Sequence, residues 1–134
     1  MRRSLYKKSL SVRALIAVLR TANATVNGDT VDRWQTLAQE YRSVLFVIYS
    51  GLVTDGSWVF SIQESPDNSV WTAPPADAVH GTPPTYISTS DDLTTDVGYA
   101  GTMRYCRLVM TSTGSTTGAL IGASAVLYQG QRDR

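Results

Sequence analysis

The sequence predicts an all-β fold, an antiparallel β-sandwich carrying a basic N-terminal arm, and three observations predict it. Apolar residues recur with period two in segments of strand length, as in "SWVFSIQES" at 57–65 and "RYCRLVMTS" at 104–112; this is the alternation of strands that bury one face. Turn signals separate these segments at the spacing of an all-β sandwich: Asn27-Gly28, Asp55-Gly56, "PDNS" at 66–69 and "GSTTG" at 114–118. The charges are segregated. Arg2, Arg3, Lys7, Lys8, Arg13 and Arg20 precede the first acid, whereas acids outnumber the four arginines between 21 and 129. The 134 residues suit one domain, able to bury roughly two-thirds of its unfolded surface without staples. The expected division is a basic arm at 1–20 and a β-sandwich at 21–134.

The arm comes first. Basic residues followed by "ALIAVL" at 14–19 and "TANA" at 21–24 imitate a secretion signal. The polar interval before Ala14, and the bracketing of a very short apolar run by Arg13 and Arg20, do not fit one. The run also falls far below the roughly 20 residues that cross a bilayer, so no membrane span is expected. After Asn27-Gly28, "DRWQTLAQEY" at 32–41 reads in two ways. Trp34, Leu37, Ala38 and Tyr41 fit one face of a short helix with Asp32 as N-cap; a strand through Thr36 and a turn at 38–41 fit equally, and the strand is slightly preferred. "RSVLFVIYS" at 42–50 is apolar on both faces and is expected to be central and covered on both sides.

Next, Trp58, Phe60 and Ile62 share one face of a strand ending near Ser65. A turn at 66–69 and a short return strand at 70–73 follow, and Pro74-Pro75 stops pairing because proline has no amide donor. Trp58 and Trp71 are therefore expected on or near adjacent strands, as packing residues. Residues 74–97 read as a long loop with a short strand at 85–89. In 104–112, Cys106, Leu108 and Met110 point one way. The last strand, 119–128, is rich in Ala, Gly and Ser, so it needs close neighbours or another chain to pack against.

The chemical inventory is thin. His80 and Cys106 are each the sole residue of their type, so nucleophilic triads would depend on one loop imidazole, and no zinc site or internal disulfide follows. "SDDLTTD" at 90–96 lacks the order of an EF-hand loop. "GSTTGAL" is one residue short of a Walker loop and has Ala119-Leu120 where Lys-Ser/Thr is required. Glu64, Asp67, Asp91 and Asp92 could supply a glycosidase carboxylate pair only at a separation that sequence does not give. No catalytic residue, metal or cofactor is expected, and the protein is expected not to be an enzyme.

Several motifs recur together: "VTDGSWVFSIQESPDNSVWTA" at 53–73, "GYAGTMRYCRLVMTSTGSTTGALIGASAVLYQG" at 98–130, and the preceding "YRSVLFVIYSG". In this order they resemble small structural proteins of tailed double-stranded DNA bacteriophages, over about 23–129. The 32–41 segment is longer than the matching connection, and the basic arm is not part of the resemblance. It implies a β-sandwich or jelly-roll virion protein that binds the outer capsid surface as decoration or cement, bridging major capsid subunits, often as a homo-oligomer. No ligand residues carry over. From charge alone, Arg2, Arg3, Lys7, Lys8 and Arg13 are expected to contact an acidic face of a neighbouring subunit, with 15–19 adding a strand to that subunit or to the sandwich itself. The major capsid protein is the expected partner, with no direct nucleic-acid or membrane contact. The expected location is the virion surface, after synthesis in the bacterial host's cytoplasm. A neck or tail component, or a carbohydrate-binding module using Trp34, Trp58 or Trp71, stays open as an alternative. The acidic turn at 64–68 is a further candidate contact.

Overall fold

The computed structural model describes residues 4–34 and 41–129. Among these the chain forms one four-residue helix, α1 (Leu5–Lys8), and ten strands: β1 (Ser9–Arg20), β2 (Thr25–Asn27), β3 (Val31–Asp32), β4 (Ser43–Val53), β5 (Ser57–Ser65), β6 (Val79–His80), β7 (Thr85–Tyr86), β8 (Thr94–Tyr99), β9 (Tyr105–Thr113) and β10 (Ala119–Tyr128). All strand pairs are antiparallel. One sheet runs β1-β10-β4-β8-β6 and the other β2-β9-β5-β7, with β3 also on β9. The fold is an all-β sandwich.

Alternation builds the core. Trp58, Phe60 and Ile62 of β5, with Cys106, Leu108 and Met110 of β9, face Val44, Phe46 and Ile48 of β4 and Ile121, Ala123, Ala125 and Leu127 of β10; all are buried. Tyr86 joins the two layers. Its ring meets Phe60 edge-on at 5.6 Å, and across the sandwich its hydroxyl donates to the Ile48 carbonyl (3.1 Å) and is hydrogen-bonded to the Thr95 hydroxyl (2.8 Å). The small residues of β10 explain its position between β1 and β4: a Cβ on Gly122 would lie 2.6 Å from Ala17 Cβ, so only glycine admits this close approach.

The residues expected as an arm are largely part of the sandwich. Ser9–Arg20 pairs with β10 along its length, with irregularities between Arg13 and Leu15 and between Leu15 and Val18. Ala14 and Leu15 are buried there, because the apolar half of this segment gains more from covering the core edge than from solvent. Strand β4 is central, but it is covered on one side only. Leu45 and Tyr49 are exposed and Val47 half-buried, so the expectation of two covered faces is corrected. The return strand at 70–73 contracts to one bridge, Glu64 with Thr72, since Asp67 Oδ1 ties up the Ser69 and Val70 amides in its own turn. The strand expected at 85–89 contracts to Thr85–Tyr86. The supposed loop at 74–97 contains β6, β7 and the start of β8. Asp32 lies in β3 and its carboxylate accepts the Trp34 amide; the rest of the helix-or-strand segment, 35–40, lies outside the described residues.

Candidate functional site

The two sheets present different outer faces. On the β2-β9-β5-β7 sheet, Ser57, Val59, Ser61 and Gln63 stand beside Thr113, Thr111, Val109 and Arg107 in register, flanked by Thr25, Asn27 and Thr85. Apart from exposed Val59, buried Val109 and half-buried Tyr105 at the end of the row, that face is polar, the ordinary state of a solvated sheet. The other sheet mixes polar with large apolar groups. Its outward residues form cross-strand rows: Ser9, Tyr128 and Ser43; Ser11, Val126, Leu45, Gly98 and His80; Arg13, Ser124, Val47 and Asp96; Gly122, Tyr49 and Thr94; Leu19 and Leu120. Leu45, Tyr49, Leu120 and Tyr128 are 38–44% exposed and Leu19 is 63% exposed. These apolar side chains stand among Ser9, Ser11, Arg13, Ser43, Thr94, Asp96 and Ser124, and make this outer face the more apolar of the two.

At one end of this face the surface dips into a groove of about 590 Å³. Gly98 makes the depression, because the row Leu45–Gly98–His80 lacks its central side chain. Leu45 and Val126 form one wall, and Tyr128 and Leu5 close the end.

The charged residues expected as contacts separate. Lys7 and Lys8 end α1 and are exposed, and Lys8 sits beside the groove because its carbonyl accepts the Gln129 amide and its successor Ser9 lines the groove. Arg13 is not a free cation: its Nε is paired with the Asp29 carboxylate, which holds the guanidinium pKa above its ordinary value by hydrogen bonding and Coulombic attraction. Arg2 and Arg3 lie outside the described residues. Arg42, which sequence reasoning did not select, is exposed immediately before the groove-lining Ser43.

The other candidates are engaged elsewhere. Glu64 is buried and accepts the Tyr99 hydroxyl at 2.6 Å, which removes it from the proposed acidic contact surface. Asp67 holds its turn, and amide donors from Val70 and Ser69 keep its carboxyl below the usual range. Asp91 Oδ1 accepts the Val53 amide at 2.7 Å. Asp55 clamps the 114–118 turn, accepting the Thr116 hydroxyl and the amides of Thr117 (2.9 Å) and Gly118 (2.8 Å); these donors, the hydroxyl first, hold its pKa well below the ordinary carboxylate value. Cys106 is buried, and desolvation pushes its thiol up to about 12; exposed His80 lies on the opposite face of the other sheet. Trp58 is in the core, its indole donating to the Asp55 carbonyl. The rings of Trp34 and Trp71 each carry a guanidinium, Arg104 at 4.9 Å and Arg107 at 4.1 Å.

Sequence reasoning missed the apolar face because an apolar run on both sides of β4 reads as a doubly covered strand. The available signal was the lack of any predicted element to provide the second cover. Among the described residues no helix is long and apolar enough to cross a membrane. No protein-family model and no curated protein sequence matches the chain.

Proposed function

We propose that this protein is a non-enzymatic structural component of a tailed-phage virion, one that binds the outer capsid surface and stabilises the head by bridging major capsid subunits. The observation that carries the reading is the more apolar outer face of the β1-β10-β4-β8-β6 sheet, set against the more polar outer face of its partner sheet. An enzyme concentrates chemistry in a cleft; here the carboxylates Asp55, Asp67 and Asp91 hold turns and strands together. The sequence resemblance supplies the capsid as partner. A module of this size gains little from one weak contact, but repetition over a shell or within a homo-oligomer raises effective concentration and turns weak contacts into firm attachment.

The test is co-sedimentation of the purified protein with DNA-filled heads lacking it, over a salt series. Saturable binding in fixed ratio to capsid subunits is expected. Absence of binding at every salt concentration overturns the capsid reading, and binding to isolated necks or tails instead would relocate the protein within the virion.

A further inference from the structure

We propose that the groove at the α1 end of the outer sheet face receives an acidic segment of the partner polypeptide, anchored by one large apolar side chain. The inference rests on the reading of this face as the contact surface and names what the contact takes.

Shape argues for the anchor. The groove volume of about 590 Å³ lies within the range of preformed ligand pockets, and its lining is mostly carbon, from Leu5, Leu45, Val126 and the Tyr128 ring, with Ser9, Ser43 and His80 as its polar members. The depression belongs to the backbone. Gly98 lies between Leu45 and His80 in register, and a Cβ there would come within 3.2 Å of His80 Cβ, so a side chain at this position would narrow the groove against His80.

Charge argues for the flanks. Lys7 and Lys8 on α1 and Arg42 before β4 are exposed, and each is within two residues of a groove-lining position. By the same measure Asp96 stands two residues from Gly98 and Asp77 three from His80, so the β6–β8 side of the groove carries carboxylates while the cations gather at the other end. A segment lying across the groove thus meets three cations at the α1–β10–β4 end. Acidic residues flanking the anchor gain from those cations, whereas basic flanks are repelled, and the preference weakens as salt rises.

The experiment uses the full-length purified protein and fluorescein-labelled twelve-residue peptides. One carries a central Trp between Glu and Asp residues, a second has Ser in place of Trp, and a third has Lys flanks around the Trp. Anisotropy at low salt is expected to show the first binding at least ten-fold more tightly than either of the others. Leu45→Glu places a negative charge on the groove wall and is expected to reduce binding at least ten-fold, with thermal melting used to check the fold. The double variant Lys7→Glu/Lys8→Glu alters only exposed side chains and is expected to erase the preference for acidic flanks. Equal binding of acidic and basic peptides, no binding of the first peptide, or indifference to both variants overturns the proposal. Self-association in sedimentation velocity that Leu45→Glu abolishes and the peptide does not compete also overturns it, by making a second copy the occupant. The outcome is separate from the head assay. Peptide binding without head binding sinks the capsid reading alone, and head binding unaffected by these variants sinks the groove alone.

Discussion

Tyr99→Phe is expected to destabilise the protein out of proportion to the single oxygen it removes. Tyr99 is fully buried, and its hydroxyl donates to Glu64 Oε2 at 2.6 Å. Glu64 is itself 5% exposed, so water cannot readily replace the lost donor. Burial, and then the hydrogen bond to the carboxylate, raise the Tyr99 pKa above its ordinary value, as expected of a hydroxyl that acts as donor throughout the physiological range. The Phe ring keeps the packing and the position beneath Arg33, whose guanidinium carbon is 5.8 Å from the ring centre. The loss is therefore chiefly one hydrogen bond to a charged acceptor, about 1.5–3 kcal/mol. For a domain of this size that corresponds to a fall in Tm of about 5–15 °C. The assay is thermal and urea unfolding of the wild type, Tyr99→Phe, Glu64→Gln and the double variant at pH 7. Glu64→Gln alone is expected to cost less, because neutralising a buried charge removes a desolvation penalty, while the cycle should show a coupling above about 0.5 kcal/mol. A Tyr99→Phe variant within about 0.5 kcal/mol of the wild type, with no coupling, would refute this reasoning.

Two further outcomes follow from the same side-chain chemistry. The Asp55 pKa is depressed in the folded state, so its contribution is fully present above the unfolded value of about 3.9 and is lost as pH falls through the folded one; Asp55→Asn should lower the urea midpoint at pH 7 and flatten its fall below about pH 5, and an unchanged pH slope would exclude the clamp. Cys106, buried with its thiol held near 12, should resist a thiol-specific disulfide reagent in the native protein and react fully in urea; rapid native labelling would show that β9 opens.

What was legible in the fold was whatever one strand's own alternation determines. Trp58, Phe60 and Ile62, and likewise Cys106, Leu108 and Met110, are inward in the structure as their spacing requires, because period-two burial is written into each segment separately. Strands held by neighbours were not legible. Val79–His80 and Val31–Asp32 are two residues long, too short to carry a period, and they exist because β8 and β9 offer open edges to pair with. Ser9–Arg20 shows the same limit in another form. Its charges suggested an arm, yet Arg13 finds Asp29 and Arg20 donates to the Ile16 carbonyl, so neither cation prevents the strand from joining the sheet.

The candidate surface was hidden for a related reason. Covered and uncovered apolar faces have the same sequence pattern, and only the count of layers separates them. Leu45, Val47 and Tyr49 satisfy the pattern of a doubly buried strand, but the sandwich provides a single partner layer and spends it on Val44, Phe46 and Ile48. Once that is seen, the composition of β10 acquires a second meaning. Ile121 and Leu127 bury bulk inside beside Ala119, Ala123 and Ala125, and Leu120, Val126 and Tyr128 on the same strand are also large and face outward. A sheet face turned to water ordinarily carries polar side chains, and β10 departs from that at Leu120, Val126 and Tyr128. Large apolar side chains on both faces of β4 and β10 are therefore the pattern of strands covered on two sides, of which this sandwich supplies one cover.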